Sequence, residues 1–286
     1  DVGALDTVTL VIDWGDPLSP GNSESINLVN AGILNNVSYD LATRTFQVTH
    51  QYLDDKPTGD SDDDFTATVT VIDDDGGDVN DSASVEIANL APTILGIAAS
   101  QTVIDENGQI SVSGSIEDTG SLDTFTVDIN WGDGTISAAS VDSTLRTFTA
   151  AHVYADDKPG TASDSYTIKA TATDDDGGTD IVNTTVLVNN VAPVLNNLSF
   201  AMDIVEDGIA TLVGQIDDVG ALDTVTLVID WGDPLSPGNS ESINLVNAGN
   251  LNNVSYDLAT RTFQVTHQYL DDKPTGDSDD DFTATV

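Results

Sequence analysis

The chain repeats itself almost letter for letter. Residues 1–69 recur as residues 218–286, an offset of 217, with one difference, Ile33 against Asn250. Whatever the first segment folds into, the last must fold into as well, so the architecture is a small unit placed in series. A finer repeat is nested inside. Trp-Gly-Asp begins at Trp14, Trp131 and Trp231, 117 and then 100 residues apart. Each long period therefore holds two related modules of unequal length. The difference falls soon after the tryptophan, since Trp14 to Phe46 spans 32 positions and Trp131 to Phe148 only 17. Pro17-Leu18-Ser19-Pro20-Gly21-Asn22 reads as a loop insertion.

Module boundaries are expected at Asn89-Leu90-Ala91-Pro92 and Asn190-Val191-Ala192-Pro193, where proline loses no ladder donor and fixes φ. They divide the chain into a first repeat (1–90), a middle repeat (91–190) and a third repeat (191–286), the outer two cut short. The joints carry no Gly/Ser tract, so they are expected to be stiff. The opening residue is Asp1, and the chain is expected to be an excerpt of a longer array.

Within a repeat the apolar period is two. Gln109 to Ile116, Phe125 to Trp131 and Tyr166 to Ala172 alternate apolar and polar positions, and no helical period stands out. Some seven strands in roughly 100 residues, parted by Gly, Asp and Asn turns, predict an all-β, immunoglobulin-like seven-stranded β-sandwich, repeated like beads on a string. Trp131 then belongs on strand C, facing the core.

Charge narrows the function. Forty-nine acidic residues stand against 7 basic ones, a formal charge of -42. Almost nothing can neutralise phosphates, so nucleic acid is excluded as a partner and an anionic membrane surface is disfavoured. No apolar run is long enough to insert into a membrane. Cysteine is absent, which removes disulfides, thiol nucleophiles and thiolate metal sites together. Such a surface calls for counter-ions, and multivalent cations neutralise it with the fewest particles. The histidines, His50, His152 and His267, fall one per repeat at equivalent positions, as a structural residue would. No triad spacing accompanies them, and carboxylate pairs arise by number alone, so no enzyme is expected. Lys56, Lys158 and Lys273, each in Asp-Asp-Lys-Pro, are expected to neutralise the aspartates before them.

The motifs Asn130-Trp131-Gly132-Asp133-Gly134, His152-Val153-Tyr154 and Ala172-Thr173-Asp174-Asp175-Asp176-Gly177-Gly178, in that order, resemble the polycystic-kidney-disease (PKD) repeat. The outer repeats depart from it at Pro17 and Pro234, where that motif has glycine. The resemblance implies an Ig-like sandwich used as a spacer or binding module of surface proteins, adhesins and secreted hydrolases. Long, nearly identical arrays look most like giant bacterial adhesins or surface filaments.

The acidic loops point to a metal. Asp174 and Asp176 lie in the F–G hairpin, and Asp118 and Asp123 (Asp218 and Asp223 in the third repeat) in the B–C loop, at the same pole. The linker amides Asn89, Asn189 and Asn190 arrive there, and the preceding repeat contributes Asp54 and Asp55, or Asp156 and Asp157, with Glu106. Carboxylates, amide oxygens and carbonyls converging on one joint suit Ca²⁺, which takes six to eight hard oxygen ligands, better than Mg²⁺ with its strict octahedron. The layout is similar to cadherin junctions, without their ligand motifs. The expectation is an extracellular, cell-surface structural segment, a stalk or filament rigidified by Ca²⁺ between repeats. Its partners are the neighbouring repeats, lateral copies in a filament, and a glycan or matrix protein at the far end. The alternative is a carbohydrate- or protein-binding module of a secreted protein or hydrolase, using the insertions at 17–22 and 234–239.

Overall fold

The computed structural model describes residues 7–29, 36–55, 58–158, 160–220, 222–234, 236–271 and 280–286. Strands of the first repeat are β1 (Val8–Asp13), β2 (Ser23–Asn27), β3 (Val37–Asp40), β4 (Thr45–Val48), β5 (Asp62–Asp73) and β6 (Asp78–Ala88). The middle repeat has β7 (Thr93–Ala99), β8 (Val103–Asp105), β9 (Gly108–Glu117), β10 (Phe125–Asn130), β11 (Ile136–Ala138), β12 (Ser140–Asp142), β13 (Thr147–Tyr154), β14 (Ser163–Asp174) and β15 (Thr179–Asn189). The third has β16 (Val194–Phe200), β17 (Gly208–Asp217), β18 (Thr226–Asp230), β19 (Ser240–Asn244), β20 (Val254–Asp257) and β21 (Thr262–Tyr269).

Among the described residues, no sheet mixes strands of different repeats. The first repeat forms β2-β1-β5-β6 and the pair β3-β4; the middle forms β11-β10-β14-β15-β8 and β12-β13-β9-β7; the third forms β16-β17-β21-β20 and the pair β18-β19. The fold is all-β, of immunoglobulin-like sandwiches in tandem. Where the sequence predicted seven strands in the middle repeat, two are split. The first runs as β7 in one sheet, then crosses to pair in parallel with β15 as β8 (Leu187 opposite Val103). The second breaks at Ala139, between β11 and β12.

The alternation read from the sequence is the alternation of burial. In β10, Val127 and Ile129 are buried, and Trp131, next on that face, is wholly buried. In β14 the buried positions are Tyr166, Ile168, Ala170, Ala172 and Asp174. Phe148 closes against Gly114, where an added Cβ would stand 2.4 Å from the ring. Each period-two face thus buries apolar area worth about 25 cal/mol per Å². In the first repeat Leu10, Ile12, Ile26, Leu28 and Val37 form the core, with Trp14 packed against it.

Histidine, tryptophan and tyrosine make one structural corner. His50 stacks on Trp14 at 5.0 Å, its Nε2 lies 3.0 Å from Asp16 Oδ2, and the Tyr52 hydroxyl donates to the Trp14 carbonyl at 3.2 Å. His267, Trp231, Asp233 and Tyr269 repeat the arrangement. The insertion folds into it. Ser19 N–H donates to Asp16 Oδ1, and Ser19 Oγ accepts from Leu53 N–H, so the loop buttresses the segment that leads to Asp54.

The chain divides into two compact units. The first comprises Asp1–Ser100, Ser111–Ala151 and Thr167–Thr185, and the second Gln101–Ile110, His152–Tyr166 and Val186–Val286.

Candidate metal centre

The inward faces of the strands do not stop at the last apolar residue. Two positions beyond the buried Ile116 comes Asp118, two beyond Ala172 comes Asp174, and Asp123 lies on the parity of Val127 and Ile129. Asp54 follows Tyr52, and Asp156 follows Tyr154, by the same step of two. Asp174 continues the inward face of its strand, and the other four stand just beyond strand ends or in the loops that follow, where the core stops.

In the first unit two groups of carboxylates result, in each of which one oxygen per residue lies within 4.8 Å of the others. One is Asp54, Asp55, Asp123 and Asp176; the other is Asp118, Asp123 and Asp174. The second unit gathers Glu106, Asp156, Asp157 and Asp223. Exposure is 3 % at Asp55, 9 % at Asp123, 4 % at Glu106 and 3 % at Asp157, so these charges lie out of solvent. Among the described residues, no hydrogen bond reaches Asp55 Oδ2, Asp118 Oδ2, either oxygen of Asp123, Glu106 Oε2, Asp156 Oδ1 or Asp157 Oδ2.

Local bonds hold the loops that present these groups. Gly120 N–H donates to Asp118 Oδ1 at 2.9 Å, and Ser121 N–H donates to the Leu53 carbonyl at 3.1 Å, tying the middle repeat's loop to the first repeat. In the hairpin, Gly178 N–H and Asp176 N–H both donate to Asp174 Oδ1. In the second unit Val191 N–H donates to Glu106 Oε1 at 2.7 Å, and Leu222 N–H donates to Asp156 Oδ2. Glycine is needed in the loop for room. A Cβ on Gly120 would stand 2.2 Å from Asp123 Oδ2, and one on Gly220 would meet both Asp223 Oδ2 and Glu106 Oε2.

Crowding shows in the proton affinities. Burial, then the charges of Asp54 and Asp118, push Asp123 up to about 7. Burial, then Glu106, Asp156 and Asp218, push Asp223 up to about 6. Asp55, Asp118 and Asp157 are also raised, burial being the first cause in each. Like charges in a dry place resist ionisation unless something positive joins them.

Most residues read from the sequence meet here. Ten of the fourteen, Asp54, Asp55, Glu106, Asp118, Asp123, Asp156, Asp157, Asp174, Asp176 and Asp223, sit in the carboxylate groups. The other four are three asparagines, which carry no carboxylate, and Asp218. Asn89 lies alongside, its Nδ2 donating to Asp174 Oδ2 at 2.9 Å. Asn189 Nδ2 faces Asp105 Oδ1 at 3.4 Å, and Asn190 donates its backbone N–H to Ala162. Asp218 accepts from Gly220 N–H and acts on Asp223 by its charge. Lys158 holds its ammonium 4.9 Å over the Tyr166 ring; Lys56 and Lys273 lie outside the described residues.

Arg146 is the residue that sequence reasoning passed over. It sits in a turn at φ 50, and its guanidinium donates to the carbonyls of Asp118 and Gly120 at 2.8 and 2.9 Å. Arg261, also at positive φ, donates likewise to the Asp218 carbonyl. The planar fork braces the acidic loop from behind, its donors aimed at carbonyls. Arg146→Lys, which keeps the charge and loses the fork, should cost about 1–2 kcal/mol by chemical denaturation. An unchanged midpoint would remove the brace from the account.

Acceptor-only, buried oxygens in groups of three and four suit a hard divalent cation, and the donor set is all oxygen. Asp54, Asp55, Asp118, Asp123, Asp174 and Asp176 would hold it in the first unit, and Glu106, Asp156, Asp157 and Asp223 in the second.

No protein-family profile matches the chain, and no curated protein matches it. Among solved structures, a tetra-tandem repeat from the extending region of a large adhesion protein is similar at TM-score 0.43 and 16 % identity, covering 100 % of this chain. The chain spans 66 % of that structure's length. The FN1–FN3 domains of chicken CNTN1 are similar at TM-score 0.26 and 9 % identity, over 82 % of this chain and 76 % of that one. At these scores neither likeness bears on function, and the fold rests on the sheets themselves.

Proposed function

We propose that the chain is an extracellular, non-catalytic spacer of a surface adhesin or filament, built of PKD-like repeats whose joints are braced by Ca²⁺. One observation carries the reading: successive repeats supply carboxylate oxygens to the same buried cluster, and several of those oxygens accept no hydrogen bond. Near-identity of the repeats supports it too, because length is what such duplication extends. A chain without cysteine has no disulfide to stiffen its joints, and cations take that role.

Extracellular calcium modules bind at about 10⁻⁴–10⁻³ M. At millimolar calcium each site then contributes about 0.4–1.4 kcal/mol. That is small for a fold, and sufficient to bias a joint between open and closed. Small-angle scattering of the full chain tests it. Calcium should narrow the distribution of interatomic distances relative to EGTA, and superimposable profiles in the two buffers would end the proposal.

A further inference from the structure

We infer that the joint in the first unit takes two divalent cations, with Asp123 shared between them. The inference rests on the calcium reading above and adds to it a number and a bridging ligand.

Two oxygens on one Ca²⁺ can be no more than about 5 Å apart, twice a bond of about 2.3–2.6 Å. The six carboxylates of this joint do not fall within one such sphere. They fall into two sets, Asp54, Asp55, Asp123 and Asp176 on one side and Asp118, Asp123 and Asp174 on the other, which meet only at Asp123. Asp123 is 9 % exposed, it alone belongs to both sets, and neither of its buried oxygens accepts from a described N–H or O–H donor. A carboxylate serving a single ion and a hydrogen bond would show one satisfied oxygen. Asp55, 3 % exposed, likewise keeps Oδ2 without a donor, in the first set.

Charge leads to the same count. Six ionised carboxylates carry six negative charges, and among the described residues Arg146, which faces this loop, spends its donors on two backbone carbonyls. One dication leaves a large excess in a dry cluster, and two leave a residue that one guanidinium and the surrounding amides can offset. The second unit reproduces the first set, with Asp156, Asp157 and Asp223 at the places of Asp54, Asp55 and Asp123.

Equilibrium dialysis of the full chain against Ca²⁺, at physiological salt to screen diffuse charge, counts the ions. Asp55→Asn removes a ligand from the first set alone, and Asp118→Asn from the second alone. Each should lower the count by one, and the double variant by two. Asparagine is isosteric and relieves repulsion, so melting in EGTA should confirm that each variant folds. A double variant that loses one ion, like either single variant, overturns the shared pair and leaves a one-ion joint. No calcium bound by the wild-type chain overturns the calcium reading itself.

Discussion

Asp123→Asn should raise the melting temperature of the chelated protein and lower that of the calcium-loaded protein. Such an inversion is rare, because a mutation that merely loses a contact destabilises in both buffers. Without metal, Asp123 is a buried carboxylate held against Asp54 and Asp118, whose charges oppose its own. Removing that charge relieves about 1–2 kcal/mol, or a few degrees of melting temperature for a protein of this size. With calcium present, the same substitution removes a charged ligand. Affinity should fall at least about tenfold, which is about 1.4 kcal/mol per ion. Calorimetry at pH 8 in EGTA and in millimolar calcium measures both arms. A drop in both would make Asp123 a structural hydrogen-bonding residue, and the metal centre would lose its central ligand.

Chelated protein should also be more stable at pH 5 than at pH 8, contrary to the behaviour of carboxylates held by salt bridges. Asp123 at about 7 and Asp223 at about 6 both lie above the ordinary carboxylate value of 3.8. A group whose folded value is raised binds its proton more tightly folded than unfolded. Its contribution is complete below the unfolded value and is lost as pH climbs through the folded one. The window is therefore from about 4 to about 7, with stability falling as pH rises. After allowance for screening by water and salt, the change is on the order of 2 kcal/mol. Calcium should reverse the sign, because the ion competes with the proton for the same oxygens. Melting curves at pH 5 and pH 8, with EGTA and with calcium, give four numbers. Equal slopes in both buffers would mean that proton and ion do not share these groups.

Much of the candidate site was legible because the signal was local. Alternation through Ile168, Ala170 and Ala172 fixes which way Asp174 faces at the end of its strand, and Asp123 lies two residues before the strand that carries Val127 and Ile129. Repetition marked which acidic residues belong to joints, since Asp156-Asp157 stands to His152 as Asp54-Asp55 stands to His50. The amides were harder. Asn189 donates its side-chain Nδ2 to Asp105 and Asn190 its backbone N–H to Ala162, bonds that engage nitrogens and not the amide oxygens expected to meet a cation. A linker residue's direction depends on strand ends that no short pattern encodes.

Arg146 illustrates the remainder. Its partners are carbonyls 28 and 26 positions away, and a backbone carbonyl has no letter in a sequence. The split of the middle repeat's first strand between sheets is of the same kind, since pairing of Val103 with Leu187 spans most of the repeat.

Read alone, the amino-acid order determined a series of β-sandwiches, which residues face inward, and that acid gathers at the joints, because strand period and duplication act between near neighbours. Tertiary structure alone decided that Asp123 stands in both carboxylate sets and that its oxygens are left without donors. Those outcomes depend on distances between loops of different repeats, and only the folded chain brings them within reach of one another.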